Sequence, residues 1–401
     1  MLRHYVDGMV GERCTSFTVP CNLFFMRIAI DARMMGPTVT RGIGRYTEEL
    51  VRGLLDLGTD DVFILVVRSL DASPFVGHPR VEHIVADIPW YGLAEQFAMP
   101  RMFRQANADL VHVPHWNVPI LFRGPLVVTI HDLILRHQPS SAKASLRHPA
   151  IAWLKHRMYR AILADVTRKA RMICVPTHYV AEDIKKYYRV PSDRLTVTGE
   201  GIASLPPPDF AGVPSEKFLL YVGAAYPHKR LDLLLDAWKV LAEKYPDRSL
   251  VLAGEMDVFM QRHRDRAAAE SIPRVIFTGR VSDARLAALY QRAEAFVFPS
   301  SDEGLGLPPL EALSFGCPVV SSDASCLPEV LPSQGVSFFR SGDASGMIRA
   351  IDAVLSAGSS ARKQAEEARQ ALRERFSWRA VAKATYQAYF HAKGEKIAPT
   401  K

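Results

Sequence analysis

The chain has 401 residues, 48% hydrophobic and 23% charged, with a formal net charge of +8. That composition suits a globular protein of two or three domains and excludes wholesale disorder. No apolar run nears the roughly 18 residues that a membrane helix needs. The five cysteines form neither a CxxC pair nor a disulfide framework, which points to a reduced cytoplasm.

Residues 1–25 show no clean period and do not read as a signal peptide. The regular pattern begins at Met26, expected either to be the natural start or to follow a loose arm. From there short apolar runs alternate with amphipathic stretches. The first half supplies Arg27–Asp31, Val62–Val67, Val81–Ala86, Leu110–Pro114, Leu126–Ile130, Met172–Pro176 and Leu195–Thr198. The second supplies Phe218–Gly223, Leu250–Gly254, Val275–Gly279, Ala295–Pro299 and Pro318–Ser322. Near-continuous apolar runs mean strands buried on both faces, and intervening helices mean parallel sheets. The predicted fold is α/β, with two doubly wound, Rossmann-like domains facing across a cleft. The first spans 26–205 and the second 211–378. Leu205-Pro206-Pro207-Pro208-Asp209 between them reads as a semi-rigid linker, or else as a surface loop within one large domain. Ala361–Arg375 reads as a charged helix. Ser377 then caps a last helix, about 379–390, expected to pack back on the first domain.

The sharpest ligand signal is Phe298–Leu313. A buried strand ends at Pro299, a glycine loop follows, and Pro308-Pro309 pre-sets a helical turn. Gly304 and Gly306 permit close approach of backbone to a ligand, and free N–H groups at a helix start attract phosphate. Glu303 in the loop and Glu311 in the helix face one cleft, where carboxylates accept hydrogen bonds from sugar hydroxyls. A strand–helix turn with a capping acid is the plainer alternative; both glutamates in register with the proline pair argue against it. In Tyr221–Leu231 another strand ends, at Gly223, and Lys229 stands at a helix start. A cation is unfavourable there unless an anion such as a diphosphate pairs with it. Gly279–Asp283 offers an N-cap at Ser282 or Asp283, and backbone groups near Val281 to a nucleotide base.

In the first half, Arg41–Tyr46 opens an amphipathic helix. Position 47 is Thr, so the third glycine of a dinucleotide fingerprint is missing and a dehydrogenase is disfavoured. A mobile glycine loop near a ligand, Gly42 to Gly44, is the expectation. His131 ends another buried strand, as a core histidine or as a cleft residue. His112 and His115 have no third partner and read as structural or cleft-lining rather than metal-binding. No Asp-x-Asp occurs, which removes the simplest carboxylate pair for a divalent metal. Ser141–Met172 carries eight Lys/Arg and one acid. Its Ile151, Leu154, Met158, Ile162 and Val166 recur at helical spacing among Lys155, Arg157 and Arg160. The segment is either a core-facing helix with a solvated basic rim or a contact with anionic lipid or a lipid diphosphate. No nucleic-acid motif accompanies the charge.

Together these residues resemble the retaining glycosyltransferases of family 4, the "group 1" enzymes with the GT-B fold. The stretch EGLGLPPLEAL resembles their Glu-x7-Glu motif, and the likeness runs from Met26 to about Phe390. It takes in IDARMMGPTVTRGIGRYTEEL, YGLAEQ, VVTIHDLI, YVGAAYPHKRLDLLLDAW and FTGRVSDARLAALYQRA. The subgroup it resembles is the bacterial mannosyltransferases of O-antigen and exopolysaccharide synthesis. The resemblance implies a cytoplasmic enzyme, peripheral on the inner face of the membrane. It would pass a sugar, mannose from GDP-mannose, from a nucleotide-sugar donor to a glycan or lipid-diphosphate-linked acceptor. No cofactor and no metal are implied. Glu303 would contact the donor sugar and Glu311 the ribose. Lys229 would hold the diphosphate with help from Arg230 or Arg45, and His131 would lie at the sugar's 6-hydroxyl. Gly304, Leu305, Gly306, Leu307, Val281, Gly223, Gly42 and Gly44 would supply backbone contacts. Glu95, His115 and Trp116 would line the acceptor side. Ala224 and His228 stand where many members carry arginine, which weakens the expected hold on the diphosphate. The alternatives are a GT-B nucleotide-sugar epimerase or hydrolase, and a non-catalytic nucleotide-sugar-binding subunit.

Overall fold

Thirteen runs form strands in the computed structural model, which describes residues 25–36, 41–141 and 149–394. The expected arm before Met26 and the stretch 142–148 of the basic segment lie outside the described residues. In the first domain the strands are β1 (Arg27–Asp31), β2 (Val62–Val67), β3 (Val81–Val85), β4 (Leu110–Val113), β5 (Leu126–Thr129), β6 (Met172–Val175) and β7 (Leu195–Val197). In the second they are β8 (Lys217–Val222), β9 (Arg248–Ala253), β10 (Val275–Gly279), β11 (Ala295–Phe298), β12 (Val319–Ser322) and β13 (Val336–Phe339). The sheet orders are β3-β2-β1-β4-β5-β6-β7 and β10-β9-β8-β11-β12-β13, every pairing parallel. Strand order therefore reverses between β1 and β4 and between β8 and β11. A doubly wound sheet binds ligands in the crevice outside such a reversal. β13 escapes a reading by apolar runs because it is short and Ser337 interrupts it; it lies at a sheet edge, with Val336 and Ser337 partly covered and Phe338 exposed.

The helices are α1 (Arg41–Asp56), α2 (Leu93–Gln105), α3 (Ile134–His137), α4 (Pro149–Lys169), α5 (His178–Tyr188), α6 (Leu231–Lys244), α7 (Val258–Ala269), α8 (Asp283–Arg292), α9 (Leu307–Ser314), α10 (Leu327–Val330), α11 (Ala344–Ala357), α12 (Ser359–Arg375) and α13 (Trp378–Lys393). One core fills the second domain around Trp238, whose indole donates to the Pro273 carbonyl at 2.8 Å. The first sheet carries a core on each face. The prolines 206–208 are exposed and irregular and join β7 to β8.

The chain crosses back once more. Ser377 caps α13 by accepting from the Ala380 N–H, and the helix lies on α1. Val381, Ala382, Ala388 and Tyr389 complete the core on that face. Tyr389 meets His112 at 2.7 Å. α1 accepts α13 closely because Gly53 has no side chain: a Cβ there would come within 2.9 Å of Ala382 Cβ and 3.0 Å of the Trp378 carbonyl. A Cβ at Gly42 would meet nothing within 4 Å. Gly53→Ala is expected to cost about 1–3 kcal/mol by overpacking this contact. Gly42→Ala should be neutral or add up to about 1 kcal/mol from helix propensity. Urea unfolding of the two variants measures the difference.

Candidate active site

The second-domain half of the cleft is built at the ends of β8 and β11. After β8 the chain passes Gly223 and makes a tight 3-10 turn, Pro227–Lys229, before α6. Lys229 therefore sits in that turn and not in the helix. Its Nζ lies 2.6 Å from Glu303 Oε1 and 5.2 Å from the centre of the Phe298 ring. Glu303 follows β11 and is 7% exposed. Its N–H donates to Ser325 Oγ at 2.9 Å, and its carbonyl accepts from Cys326 Sγ. Glu311 projects from α9, 9% exposed, and accepts from the Tyr290 hydroxyl at 2.9 Å. Burial raises its pKa, with Tyr290 and nearby Arg45 opposing. Arg45 comes from α1 in the other domain and pairs with Asp283 at the start of α8 at 2.8 Å.

The turn and the loop are stitched together through His228. Its carbonyl accepts from the Ser301 N–H at 2.7 Å and from the Ser300 and Ser301 hydroxyls. The imidazole reaches the first domain, with Nδ1 2.9 Å from Ser141 Oγ. Burial, aided by the Lys229 charge, pushes its pKa down to about 3, so it is neutral. His228 thus brings no positive charge to a diphosphate.

The first-domain half meets this loop backbone to backbone. A Cβ on Gly304 would fall 1.9 Å from the His131 carbonyl oxygen, so no other residue fits. The Gly304 carbonyl accepts from Thr177 Oγ1 at 2.9 Å. His131 pairs through Nδ1 with Glu200 and through Nε2 with the Pro114 carbonyl at 3.0 Å. Both partners are acceptors, so both ring nitrogens carry protons. Burial alone would lower the pKa, but Glu200 and the Pro114 carbonyl outweigh it and raise it.

At the β1–β4 reversal, Arg33 is buried against Asp31 at 2.7 Å and Glu95 at 2.7 Å. The other Glu95 oxygen accepts from Asn117 Nδ2 at 2.9 Å and from the Tyr91 N–H at 2.8 Å. Asp31, Arg33, Ile43, His115 and Asn117 line a narrow crevice there. Among the described residues no group of three or more His, Cys, Asp or Glu is placed to hold a metal ion.

The pattern matches known proteins. A model of "Glycosyltransferase Family 4" matches residues 40–203, and one of "Glycosyl transferases group 1" matches 209–371. The chain belongs to these glycosyltransferases. The O-antigen chain mannosyltransferase RfbU of Salmonella typhimurium is 27% identical over 302 residues, 72% of this chain and 80% of that protein. A glycogen synthase of Mycobacterium tuberculosis is 27% identical over 413 residues, 92% of this chain and 96% of that protein. Among solved structures, sucrose-phosphate synthase from Thermosynechococcus elongatus shares the fold. Its TM-score is 0.71 over 90% of this chain and 98% of that one, at 21% identity.

Several residues of this glycosyltransferase stand otherwise than the sequence suggests. Glu95 does not line an open acceptor side: it is fully buried and both its oxygens are taken, by Arg33 and by Asn117 and the Tyr91 backbone. Gly42 and Gly44 are not a loop but the first turn of α1. Gly44 is required because a Cβ would strike the Met34 carbonyl at 2.1 Å. His131 offers no free ring nitrogen. Gly304 faces the first domain, while Leu305 is buried and Gly306 precedes α9, where Leu307 is only partly covered. Val281 is partly buried against the second core, and Gly223 and Arg230 are partly exposed. Arg230 turns to Asp232 at 3.3 Å. Trp116, beside His115, packs edge-on to Tyr159. The sequence reading missed Glu200, Tyr290 and Asp302. Only Glu200, an acid following the β7 end in Thr198-Gly199-Glu200, carried a signal of the kind used elsewhere.

A raised histidine pKa adds stability that is complete below the unfolded value near 6.5 and is lost as pH rises through the folded value. Glu200→Gln should remove this increment, about 1.5–3 kcal/mol for a hydrogen bond to a charged group. It should also lower the His131 pKa, read from the ring C–H shifts by NMR. An unchanged titration would refute the pairing.

Proposed function

We propose that this glycosyltransferase transfers mannose from GDP-mannose to a glycan or lipid-linked glycan in surface polysaccharide synthesis. Transfer retains the anomeric configuration and uses no metal. The observation that carries the reading is the Lys229–Glu303 pair, 2.6 Å apart at the ends of β8 and β11, with Glu311 held by Tyr290 one turn into α9. A donor entering there exchanges partners: its diphosphate takes the Lys229 ammonium, and the Glu303 carboxylate turns to the sugar hydroxyls. Glu311 accepts from the ribose hydroxyls. The likeness to the mannosyltransferase RfbU supports mannose as the sugar.

In the step itself the C1–O bond to the diphosphate breaks and an oxocarbenium-like centre develops. The acceptor oxygen bonds to C1 on the face that the diphosphate leaves. The departing phosphate oxygen takes the acceptor proton, and the products are a glycoside and a nucleoside diphosphate. No carboxylate nucleophile is assigned. Lys229 stabilises the leaving diphosphate and Glu303 the developing positive charge. The imidazolium of His131, beneath the sugar position, adds a fixed field and not a free hydrogen bond. Closed domains exclude water, which competes as acceptor.

The acceptor side supports a membrane-bound substrate. The expected apolar stripe of α4 divides: Ile162 and Val166 are buried, while Ile151, Leu154 and Met158 are exposed. Trp153 is 62% exposed, with the Arg157 guanidinium over its ring, and Lys155 and Arg160 are exposed beside it. An apolar helix face rimmed with cations suits the headgroup layer of an anionic bilayer. No helix among the described residues is long and apolar enough to cross a membrane.

Thermal stabilisation by GDP-mannose should exceed that by UDP- or ADP-sugars and should persist in EDTA. A larger shift with another nucleotide sugar would overturn the donor, and loss of the shift in EDTA would overturn metal independence. Glu303→Ala should abolish transfer yet keep GDP binding within about tenfold, whereas Lys229→Ala should weaken GDP binding by about tenfold or more. Swapped phenotypes would refute the roles. In co-sedimentation with phosphatidylglycerol vesicles the protein should pellet, and Trp153→Ser with Lys155→Ala should release it; binding indifferent to both changes would refute the α4 contact.

A further inference from the structure

Beside Glu303 stands a second charged contact between the domains, and it involves neither donor nor acceptor directly. His137 ends α3. Its Nδ1 lies 2.8 Å from Asp302 Oδ2, in the second domain and next in sequence to Glu303. Its Nε2 lies 3.0 Å from Asp183 Oδ2 on α5 of the first domain. All three side chains are largely buried, the imidazole 17% exposed. The next residue repeats the grip, since Gln138 Nε2 donates to Ser301 Oγ at 3.0 Å. Thr177 then takes the Gly304 carbonyl. The residues on both sides of Glu303 are thus held by the first domain, while its carboxylate is held by Lys229 from the second.

We propose that His137 is a positioning residue for transfer: as an imidazolium bridging Asp183 and Asp302, it clamps the Ser301–Gly304 loop to the first domain and so sets the Glu303 carboxylate in the closed cleft. Ionised carboxylates only accept, so Nδ1 donates to Asp302, while Nε2 stands at ion-pair distance from Asp183 without an aligned hydrogen bond; two carboxylates this close favour the charged ring. The pairing with Asp183 and Asp302 pushes the His137 pKa up to about 10 against the opposing effect of burial. Of the other charged and titratable groups around it, the cations Arg136 and Lys186 oppose the charge, and the two carboxylates outweigh them. From α5, Tyr187 lies 5.6 Å away ring to ring, under the cations of Arg136 and Lys186. Tyr179 is held protonated by burial and by Asp302 and Asp183, and Asp132 and Tyr159 feel Asp302 in the same way. Since the His137 pKa is raised, the clamp is complete below about pH 6.5 and is released as pH climbs through about 10.

The effect on transfer rests on the sugar-site reading of Glu303; the clamp itself does not. The test therefore pairs kinetics with amide hydrogen exchange of the 299–305 segment, corrected for the intrinsic rate. In His137→Gln that segment should exchange about tenfold faster while Phe218–Val222 in the second core is unchanged. The kcat for GDP-mannose turnover should fall about tenfold with KM within about threefold. His137→Arg, which keeps charge and two donors, should recover most of both. Adding Asp302→Asn to His137→Gln should cost nothing more, as a directly coupled pair requires. In the native protein the segment should loosen as pH approaches 10, a step absent from His137→Gln. Unchanged exchange in His137→Gln, or strictly additive double-variant effects, would overturn the clamp. A loosened segment together with an active Glu303→Ala would uphold the clamp and overturn only the sugar-site reading.

Discussion

Everything in the cleft depends on one steric constraint: the strand-end backbones of the two domains touch at Gly304 and His131, with no room for a β-carbon between them. Sheets brought together this closely carry their loop charges out of water. A charge in that position must be paired or it is expensive, and removing one partner of a buried pair costs about 3–5 kcal/mol. The charged groups at the seam follow the rule. Lys229 meets Glu303, His131 meets Glu200, His137 meets Asp183 and Asp302, and Arg45 meets Asp283. Only one of these pairs joins two groups within the second-domain half of the site, and it is the one a donor would have to open. The others hold the frame.

The same seam limits the effect of the missing arginines. The Ala224 carbonyl accepts from the Tyr221 hydroxyl at 2.7 Å, a backbone contact that does not depend on the side chain at 224. His228, neutral and tied to Ser141, serves as a joint between domains. His228 joins the Lys229 turn to both the Glu303 loop and the first domain. On the proposed reading the diphosphate would rest on Lys229, while Arg45 stays paired with Asp283 across the seam.

Fold and site were legible to different degrees. Twelve of the strands read directly as apolar runs, the partly covered edge strands β3, β7 and β10 among them, whereas β13, a four-residue run broken by Ser337, did not. The Glu303–Glu311 stretch was legible because the chemistry and the local turn lie within one short segment. Glu95 misled because a carboxylate in the first turn of a helix looks the same whether it faces a cleft or an arginine 62 residues away in sequence. His137 and Asp302 lie 165 residues apart, and nothing local marks either. The α4 stripe was periodic along its length, but periodicity does not say where the neighbouring surface ends.

The return of α13 to the first domain shapes how this protein is made. Synthesis runs from the N-terminus, and domains tend to fold as they emerge. Here the first domain emerges without Val381, Ala382 or Tyr389, so one face of its sheet and the Gly53 surface of α1 stay uncovered while the whole second domain is translated. His112 likewise waits for the Tyr389 hydroxyl across 277 residues. The first domain to be born is thus the last to be finished.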